Sequence, residues 1–281
     1  MNVAILGKEH SERAAAAAVV VHRWLSDRDH RVVLDSHTAQ AAGLPGGVPR
    51  DELAAQAEMA VVLGGDGTLL LAARVFSPDE VPIFGINLGR LGFLTDTDSE
   101  HMLEVLEEVF AGDYAIEERM MLSGSVLRGD NVLGPQHAFN DIVVNKAALA
   151  QVIRLETHVN GQLVSSYLAD GIIFSTPTGS TAYGLAVGGP IVEPSTEVLL
   201  VAPICPHMLT NRPLIISGSS TVDCIISEAR GEVYLTIDGQ EGFPLLPGDR
   251  IRVCRSPHRA RLVQAASRNF FEILRAKMGW G

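Results

Sequence analysis

Over the first hundred or so residues, short wholly apolar runs alternate with longer stretches in which apolar residues recur at helical spacing. Residues 3–6, 31–35, 59–63 and 81–86 read as buried strands, because each is a β-branched and apolar run closed by polar residues or glycine. Between them, residues 11–26 read as a helix that Ser11 can cap, and the leucines and alanines after Thr68 as another. Residues 36–50, with Gly43, Pro45, Gly46, Gly47 and Pro49, read as a loop, and residues 51–58 as a short helix. Over residues 99–110, Met102, Leu103, Leu106, Val109 and Phe110 share one face, opposed by Glu100, Glu104, Glu107 and Glu108, and Gly112 stops the helix. Alternating strands and helices predict an α/β, doubly wound domain whose ligands bind beyond the carboxyl ends of parallel strands. The glycine-rich turns at Gly64 and Gly85 are expected at those ends.

After Tyr114 the period changes. Residues 121–127, 138–144, 153–159, 171–174, 198–201, 221–226, 233–237 and 251–254 are short and rich in β-branched residues. Turn signals separate them, among them Arg128-Gly129-Asp130-Asn131 and the hairpin dipeptide Asn160-Gly161. This predicts a second, mostly antiparallel domain, a β-sandwich of two packed sheets. A last helix follows, with Ser267 as its cap and Phe270, Phe271, Leu274 and Met278 as its apolar stripe. The expected division is an α/β domain over residues 1–113, a β-rich domain over 114–260, and a C-terminal segment, 261–281, packing back on the first.

Composition narrows the function. The 281 residues are 47% hydrophobic and carry a net charge of −11, with no run of Lys or Arg, which argues against nucleic-acid and anionic membrane surfaces as partners. The three cysteines, Cys205, Cys224 and Cys254, are widely spaced and read as buried, reduced thiols of a cytoplasmic protein. No stretch has the length of a signal peptide or a membrane span, and the nine histidines include no HExxH spacing.

Two stretches carry candidate chemistry. Gly64-Gly65-Asp66-Gly67-Thr68 joins a buried strand to a helix, so its glycines can take positive φ and admit a phosphate or ribose to main-chain N–H groups. Asp66 then either receives a hydroxyl proton or holds a cation in phosphoryl transfer, or simply caps the helix. Residues 167–183, from Tyr167-Leu168-Ala169-Asp170 to Ser180-Thr181-Ala182-Tyr183, end a strand in small hydroxyl residues suited to a purine or ribose edge, with Tyr183 as a stacking face. An S/T-rich turn alone explains them equally. Asn140-Asp141 is a third polar pair within apolar sequence.

Together these segments resemble the NAD kinase family. Gly64 to Thr68 matches its first motif, Gly85-Ile86-Asn87-Leu88-Gly89-Arg90-Leu91-Gly92-Phe93 its second, and Asp170 to Tyr183 with Gly188-Gly189-Pro190 its longest. Asn140-Asp141, Asp238-Gly239-Gln240 and the C-terminal segment also fall in place. The resemblance implies transfer of a phosphoryl group from ATP or polyphosphate, with a divalent metal ion such as Mg²⁺, to the 2′-hydroxyl of the adenosine ribose of NAD. Asp66 would accept the proton and Gly67 admit the ribose; Asn140 would bond adenine and Asp141 a sugar hydroxyl. Asp170 and the segment Thr178, Thr181, Ala182, Tyr183, Gly184, Leu185 and Ala186 would line the adenosine and nicotinamide sites, with Gln240 nearby. The partners implied are NAD, ATP and further copies of the chain, as a homodimer or homotetramer. Asp141 stands where glutamate is expected, and Leu71 where several relatives carry a basic residue. No GxxxxGK[ST] sequence is present, so metal and N–H groups, with Arg90 as a candidate, must neutralise phosphate charge. A small-alcohol kinase of the diacylglycerol or sphingosine kind shares the Asp66 loop, and a non-catalytic NAD sensor would share the binding residues.

Overall fold

The computed structural model describes residues 1–89, 92–95, 97–147, 151–265 and 270–280. The chain forms two compact units, one of Met1–Glu118 with His258–Gly281 and the other of Arg119–Pro257. Among the described residues no helix is long and apolar enough to cross a membrane.

The first unit runs β1 (Asn2–Gly7), α1 (Glu12–Ser26), β2 (Arg31–Asp35), α2 (Ser36–Ala42), β3 (Gly47–Val48), β4 (Met59–Gly64), α3 (Asp66–Phe76), β5 (Ile83–Asn87), β6 (Thr97–Asp98) and α4 (Met102–Ala111). The strands are parallel in the order β3-β2-β1-β4-β5, and Leu262, near the chain's end, pairs with Ile83. Every residue of β4 is buried, which is why this strand reads as a continuous apolar run. Val3, Ile5, Val61, Leu63, Phe84 and Ile86 pack against Ala18, Val21 and Leu25 of α1 and Leu106 and Val109 of α4. Ser11 caps α1 by accepting the Ala14 N–H, and Gly112 ends α4 at φ 90°.

Local expectations fail where a cap outweighs loop composition. Residues 36–42 are helix: Asp35 accepts the His37 and Thr38 N–H groups, and Gly43 closes the last turn at φ 65°. Residues 51–58 make two 3₁₀ turns, Arg50–Glu52 and Ala54–Gln56, in place of a helix. Gly85 is not in a turn; it lies within β5, where a Cβ would come 2.5 Å from Leu69 of α3. Leu103 is exposed on α4, off the buried face.

The second unit takes in most of β7 (Tyr114–Arg128), then β8 (Asn131–Ala138), β9 (Asp141–Lys146), β10 (Ile153–Val159), β11 (Gln162–Ala169), β12 (Gly171–Ser175), the four-residue α5 (Tyr183–Ala186), β13 (Val198–Ile204), β14 (Leu214–Ser217), β15 (Val222–Glu228), β16 (Val233–Ile237), β17 (Glu241–Leu245) and the first half of β18 (Arg250–Ala265). One antiparallel sheet has the order β14-β13-β12-β9-β16-β17, and β11-β10-β15-β18 run antiparallel in another. Leu122, Ile142, Leu155, Phe174, Val201, Leu235 and Val253 meet in the core between them, as a sandwich requires. Asn160 (φ 50°) and Gly161 (φ 80°) form the expected two-residue turn between β10 and β11.

Cys205 departs from the expected burial: it is exposed at φ 45°, just past the end of β13, whereas Cys224 is buried. The last helix, α6 (Phe270–Met278), buries Ile273 and Leu274 and leaves Phe271 exposed, so the face differs from the stripe expected. Ser267, expected as its cap, lies outside the described residues.

Candidate active site

In the first unit, β4 ends at Gly64 and α3 begins at Asp66, with Gly65 between them as the cap residue. Gly65 brings no capping side chain, and its carbonyl accepts the Thr68 and Leu69 N–H groups. None of Gly64, Gly65 and Gly67 takes a positive φ. Glycine is needed here for room: a Cβ on Gly64 would lie 2.3 Å from Thr68 Oγ1, while at Gly65 it would meet open space. A ligand can therefore approach the Gly65 backbone closely.

Asp66 does not cap its own helix. Its carboxylate reaches the next crossover, where it accepts the Phe93 N–H (2.9 Å) and the Leu94 N–H (3.2 Å). Gly92 makes this possible, since a Cβ there would sit 2.0 Å from Asp66 Oδ1. Gly64 pairs with Asn87 across β4 and β5, the Leu88 N–H donates to the Gly64 carbonyl (2.9 Å), and Asn87 Oδ1 accepts the Gly89 N–H (2.9 Å). Both family-like motifs thus converge at the carboxyl ends of adjacent strands, with one carboxylate fixed between them. Arg90 and Leu91 lie outside the described residues. Leu71 is half-buried on α3.

In the second unit, Asp141 opposes Ser175, and Ile142 opposes Ile237. The ends of β9, β12 and β16 therefore come together. The Asn140 carbonyl accepts the Thr176 N–H (2.9 Å) and the Ser175 hydroxyl (3.1 Å), and Thr176 Oγ1 donates to the Phe139 carbonyl (2.7 Å). Gly179 presses on this corner so closely that a Cβ would lie 2.3 Å from the Asn140 carbonyl oxygen. Within the loop, Ser180 Oγ donates to the Pro177 carbonyl (2.6 Å) and Thr181 Oγ1 to the Thr178 carbonyl (3.2 Å); Arg119 Nη1 donates to Thr178 Oγ1 (3.4 Å). These hydroxyls tie the loop together from within. Asn140 Oδ1, by contrast, is buried with no hydrogen-bond partner.

The residue that holds this corner is Asp238, which the sequence marks only as part of a family-like segment and gives no role. The Asp238 carboxylate accepts three successive main-chain N–H groups, from Phe139 (2.9 Å), Asn140 (2.7 Å) and Asp141 (3.0 Å). Asp238-Gly239 is the hairpin dipeptide between β16 and β17, with φ 51° and 64° and a Gln240 N–H to Ile237 carbonyl bond. Gln240 is exposed on that turn.

Asp141 is buried beside Asp238, and burial first, then that second carboxylate, pushes its acid up to about 7. Between the ordinary carboxylate range near ~4 and about 7, the folded chain keeps a proton that the unfolded chain has released. Stability contributed by this group therefore falls as pH rises through that window and levels off above it. Asp141→Asn is expected to remove that part of the fall, on the order of 4 kcal/mol. Melting curves of both proteins between pH 4 and 8 check this, and parallel profiles would refute it.

Asp170 is not at this corner. It precedes β12 whereas Ser175 ends it, a separation of roughly 15 Å along the strand, and it pairs with Lys146 Nζ at 3.2 Å. Burial first, then the negative charges of Cys205, Asp141 and Asp170, raise the Tyr183 phenol above the ordinary range. Tyr183, Ala182 and Ala186 are exposed and Gly184 is buried, with Thr181 and Leu185 intermediate. Among the described residues, no group of three or more His, Cys, Asp and Glu side chains could hold a metal ion.

Residues 3–114 match the ATP-NAD kinase N-terminal domain and residues 139–265 the ATP-NAD kinase C-terminal domain. The NAD kinases of Geobacter metallireducens and Geobacter sulfurreducens are each 46% identical to this chain over 279 residues, 99% of this chain and 98% of theirs. Among solved structures, yeast NADH kinase complexed with NADH superposes with a TM-score of 0.87 at 28% identity, covering 100% of this chain and 88% of its own. An NAD kinase from Archaeoglobus fulgidus in complex with ATP gives 0.78 at 26% identity, covering 99% of both chains. With its N- and C-terminal halves both matched, and close relatives aligned over nearly its full length, the chain belongs to the NAD kinase family.

Proposed function

We propose that this chain is an NAD kinase that transfers the terminal phosphoryl group of ATP to the 2′-hydroxyl of the adenosine ribose of NAD, giving NADP. The observation that carries the substrate assignment is Asn140 Oδ1, a buried acceptor left without a hydrogen-bond partner in a corner whose main chain is held by Asp238, Ser175 and Thr176. An adenine amino group would satisfy it. Asp141, with its acid raised to about 7, both donates to and accepts from a sugar hydroxyl near neutral pH. Tyr183 offers its ring to a base, and the 178–186 loop and Gln240 line the same ligand. Asp170 takes part from the far end of β12.

Asp66 is the proton acceptor. Phe93 and Leu94 each use one lone pair of its carboxylate, and the remaining ones can receive the ribose hydroxyl. A carboxylate is far too weak a base to remove that proton beforehand. In a loose phosphoryl-transfer transition state it orients the hydroxyl and takes the proton late. A divalent cation such as Mg²⁺ supplies charge neutralisation on the donor phosphates. Likeness to proteins solved with NADH and with ATP supports these ligands. The homo-oligomer is supported by apolar side chains beside and on edge strand β14, where Leu209, Leu214 and Ile215 are exposed; light scattering of the purified protein tests it.

The deciding experiment supplies Mg²⁺ and NAD with either ATP or polyphosphate and measures NADP. NADP with ATP supports the reading and the polyphosphate arm fixes the donor range; none from folded, NAD-binding protein would favour a sensor. Gly92→Ala is expected to lower kcat by about tenfold or more with little change in melting temperature, because its Cβ displaces the Asp66 carboxylate. An unchanged kcat would show that the carboxylate position is not critical.

A further inference from the structure

Asp66 shares its place in the crossover with one further side chain, that of Thr95. Thr95 stands two residues before β6, is 1% exposed, and its hydroxyl has no hydrogen-bond partner among the described residues. Two glycines show which way it points. A Cβ on Gly85 of β5 would lie 3.0 Å from Thr95 Cγ2, so the methyl group fills the space that Gly85 leaves beside Leu69. A Cβ on Gly92 would lie 2.8 Å from Thr95 Oγ1 and 2.0 Å from Asp66 Oδ1, so hydroxyl and carboxylate face the same bare Cα. The two oxygens are therefore no farther apart than those two distances laid end to end, a gap that a rotation of the carboxyl group or one bridging water closes.

Packing alone does not call for a hydroxyl here. Valine has the shape of threonine, would set the same methyl group against Gly85, and would leave no buried polar group unpaired. The need for a hydroxyl arises from the chemistry of Asp66. Its two main-chain partners, the Phe93 and Leu94 N–H groups, are both donors, which suits a carboxylate. During the reaction the 2′-oxygen bonds to the terminal phosphorus of the donor as the bond from that phosphorus to ADP breaks, and the hydroxyl proton passes to Asp66. Asp66 is then a carboxylic acid whose O–H needs an acceptor, and the two N–H groups offer none. The 2′-oxygen has become a phosphate ester and accepts only weakly. Thr95 Oγ1 has both lone pairs unused, and a hydroxyl can donate to the carboxylate before transfer and accept from the acid after it.

We propose that Thr95 is a positioning residue for phosphoryl transfer, its hydroxyl holding Asp66 in both protonation states and accepting the hydrogen bond of the protonated acid. The inference rests on the kinase reading above. Solvent takes the proton from Asp66 when NADP leaves, so the hydroxyl is unchanged over the cycle.

The test measures kcat, both KM values and the melting temperature of two variants that separate the hydroxyl from the methyl group. Thr95→Val should lower kcat about tenfold or more, the worth of roughly one hydrogen bond, with the KM for NAD and for ATP within about twofold and a melting temperature at or above that of the wild type. Thr95→Ser should do the opposite, keeping kcat within about twofold while melting lower for want of the methyl group. In an Asp66→Asn background, Thr95→Val should cost no further activity, because the group it serves is gone. An unchanged kcat in folded Thr95→Val would overturn the inference, and so would an equal loss in Thr95→Ser or a full further loss in the Asp66→Asn background. Should Thr95→Val not fold, Thr95→Ala takes its place beside Thr95→Ser: a lower kcat in alanine alone supports the role of the hydroxyl, and equal values overturn it. Should the wild-type protein form no NADP, the kinase reading fails and this inference with it, whereas NADP from the wild type with full turnover in Thr95→Val overturns the inference alone.

Discussion

Asp66→Asn is expected to lower kcat by about 10²-fold or more, the usual contribution of a positioned proton acceptor. The substitution acts twice. It removes the group that takes the ribose proton, and it puts an amide NH₂ opposite one of two main-chain donors, since Phe93 and Leu94 each need an acceptor. That donor-to-donor contact loosens residues 92–95 locally. The fold should survive, because α3 is anchored by Leu69, Leu70, Ala72, Ala73 and Phe76, all buried and all beyond the turn. The expected signature is a collapsed kcat, a melting temperature within a few degrees of wild type, and a KM for NAD within a few-fold. Asp66→Glu, which keeps a carboxylate at displaced geometry, should fall between the two. Near-normal turnover by folded Asp66→Asn would remove Asp66 from the chemistry and leave it a crossover clamp.

What the sequence made legible divides by range. The parallel strands could be read because they are buried on both faces, as β4 is along its whole length. The sandwich strands could be read from β-branched runs closed by turns such as Asn160-Gly161. Helix α2 was missed because the glycines and prolines of 43–49 dominated the window, although Asp35 as cap and Gly43 as stop were both present. Glycines were the hardest to read. Gly64, Gly85 and Gly92 are glycine because Thr68, Leu69 and Asp66 press against them, and none has a positive φ. Sequence can mark a glycine as special, but it cannot say which distant side chain needs the space. In the same way the residue types of the site were legible, while their division of labour was not. Ser175, Thr176 and Ser180 look like ligand hydroxyls and act as internal ties. Asp238 looks like a turn residue and acts across 97 to 99 positions of sequence.

That long reach makes Asp238 the second position where a large effect is expected. Its carboxylate touches no substrate in the reading above; it is a positioning residue, holding the main chain of Phe139, Asn140 and Asp141 so that the Asn140 amide oxygen is aimed at the ligand. Asp238→Ala would leave three N–H groups without their acceptor, two of them on buried residues, at about 1–3 kcal/mol each before relaxation. Loss of folding is an expected outcome for that variant. Asp238→Asn is the sharper probe: asparagine tolerates the φ of 51° and keeps one acceptor oxygen, but loses the charge and the second oxygen. It should raise the KM for NAD by about tenfold or more, the cost of roughly one misplaced hydrogen bond to adenine, and leave the KM for ATP unchanged. It should also move a second observable that misfolding alone would not. Removing the neighbouring negative charge lets Asp141 ionise more easily, so the pH window over which stability falls should end below about 7. A folded Asp238→Asn enzyme with wild-type KM for NAD would mean that Gly179 and Thr176 hold the corner without it. An unshifted pH window would mean that burial alone sets the acidity of Asp141.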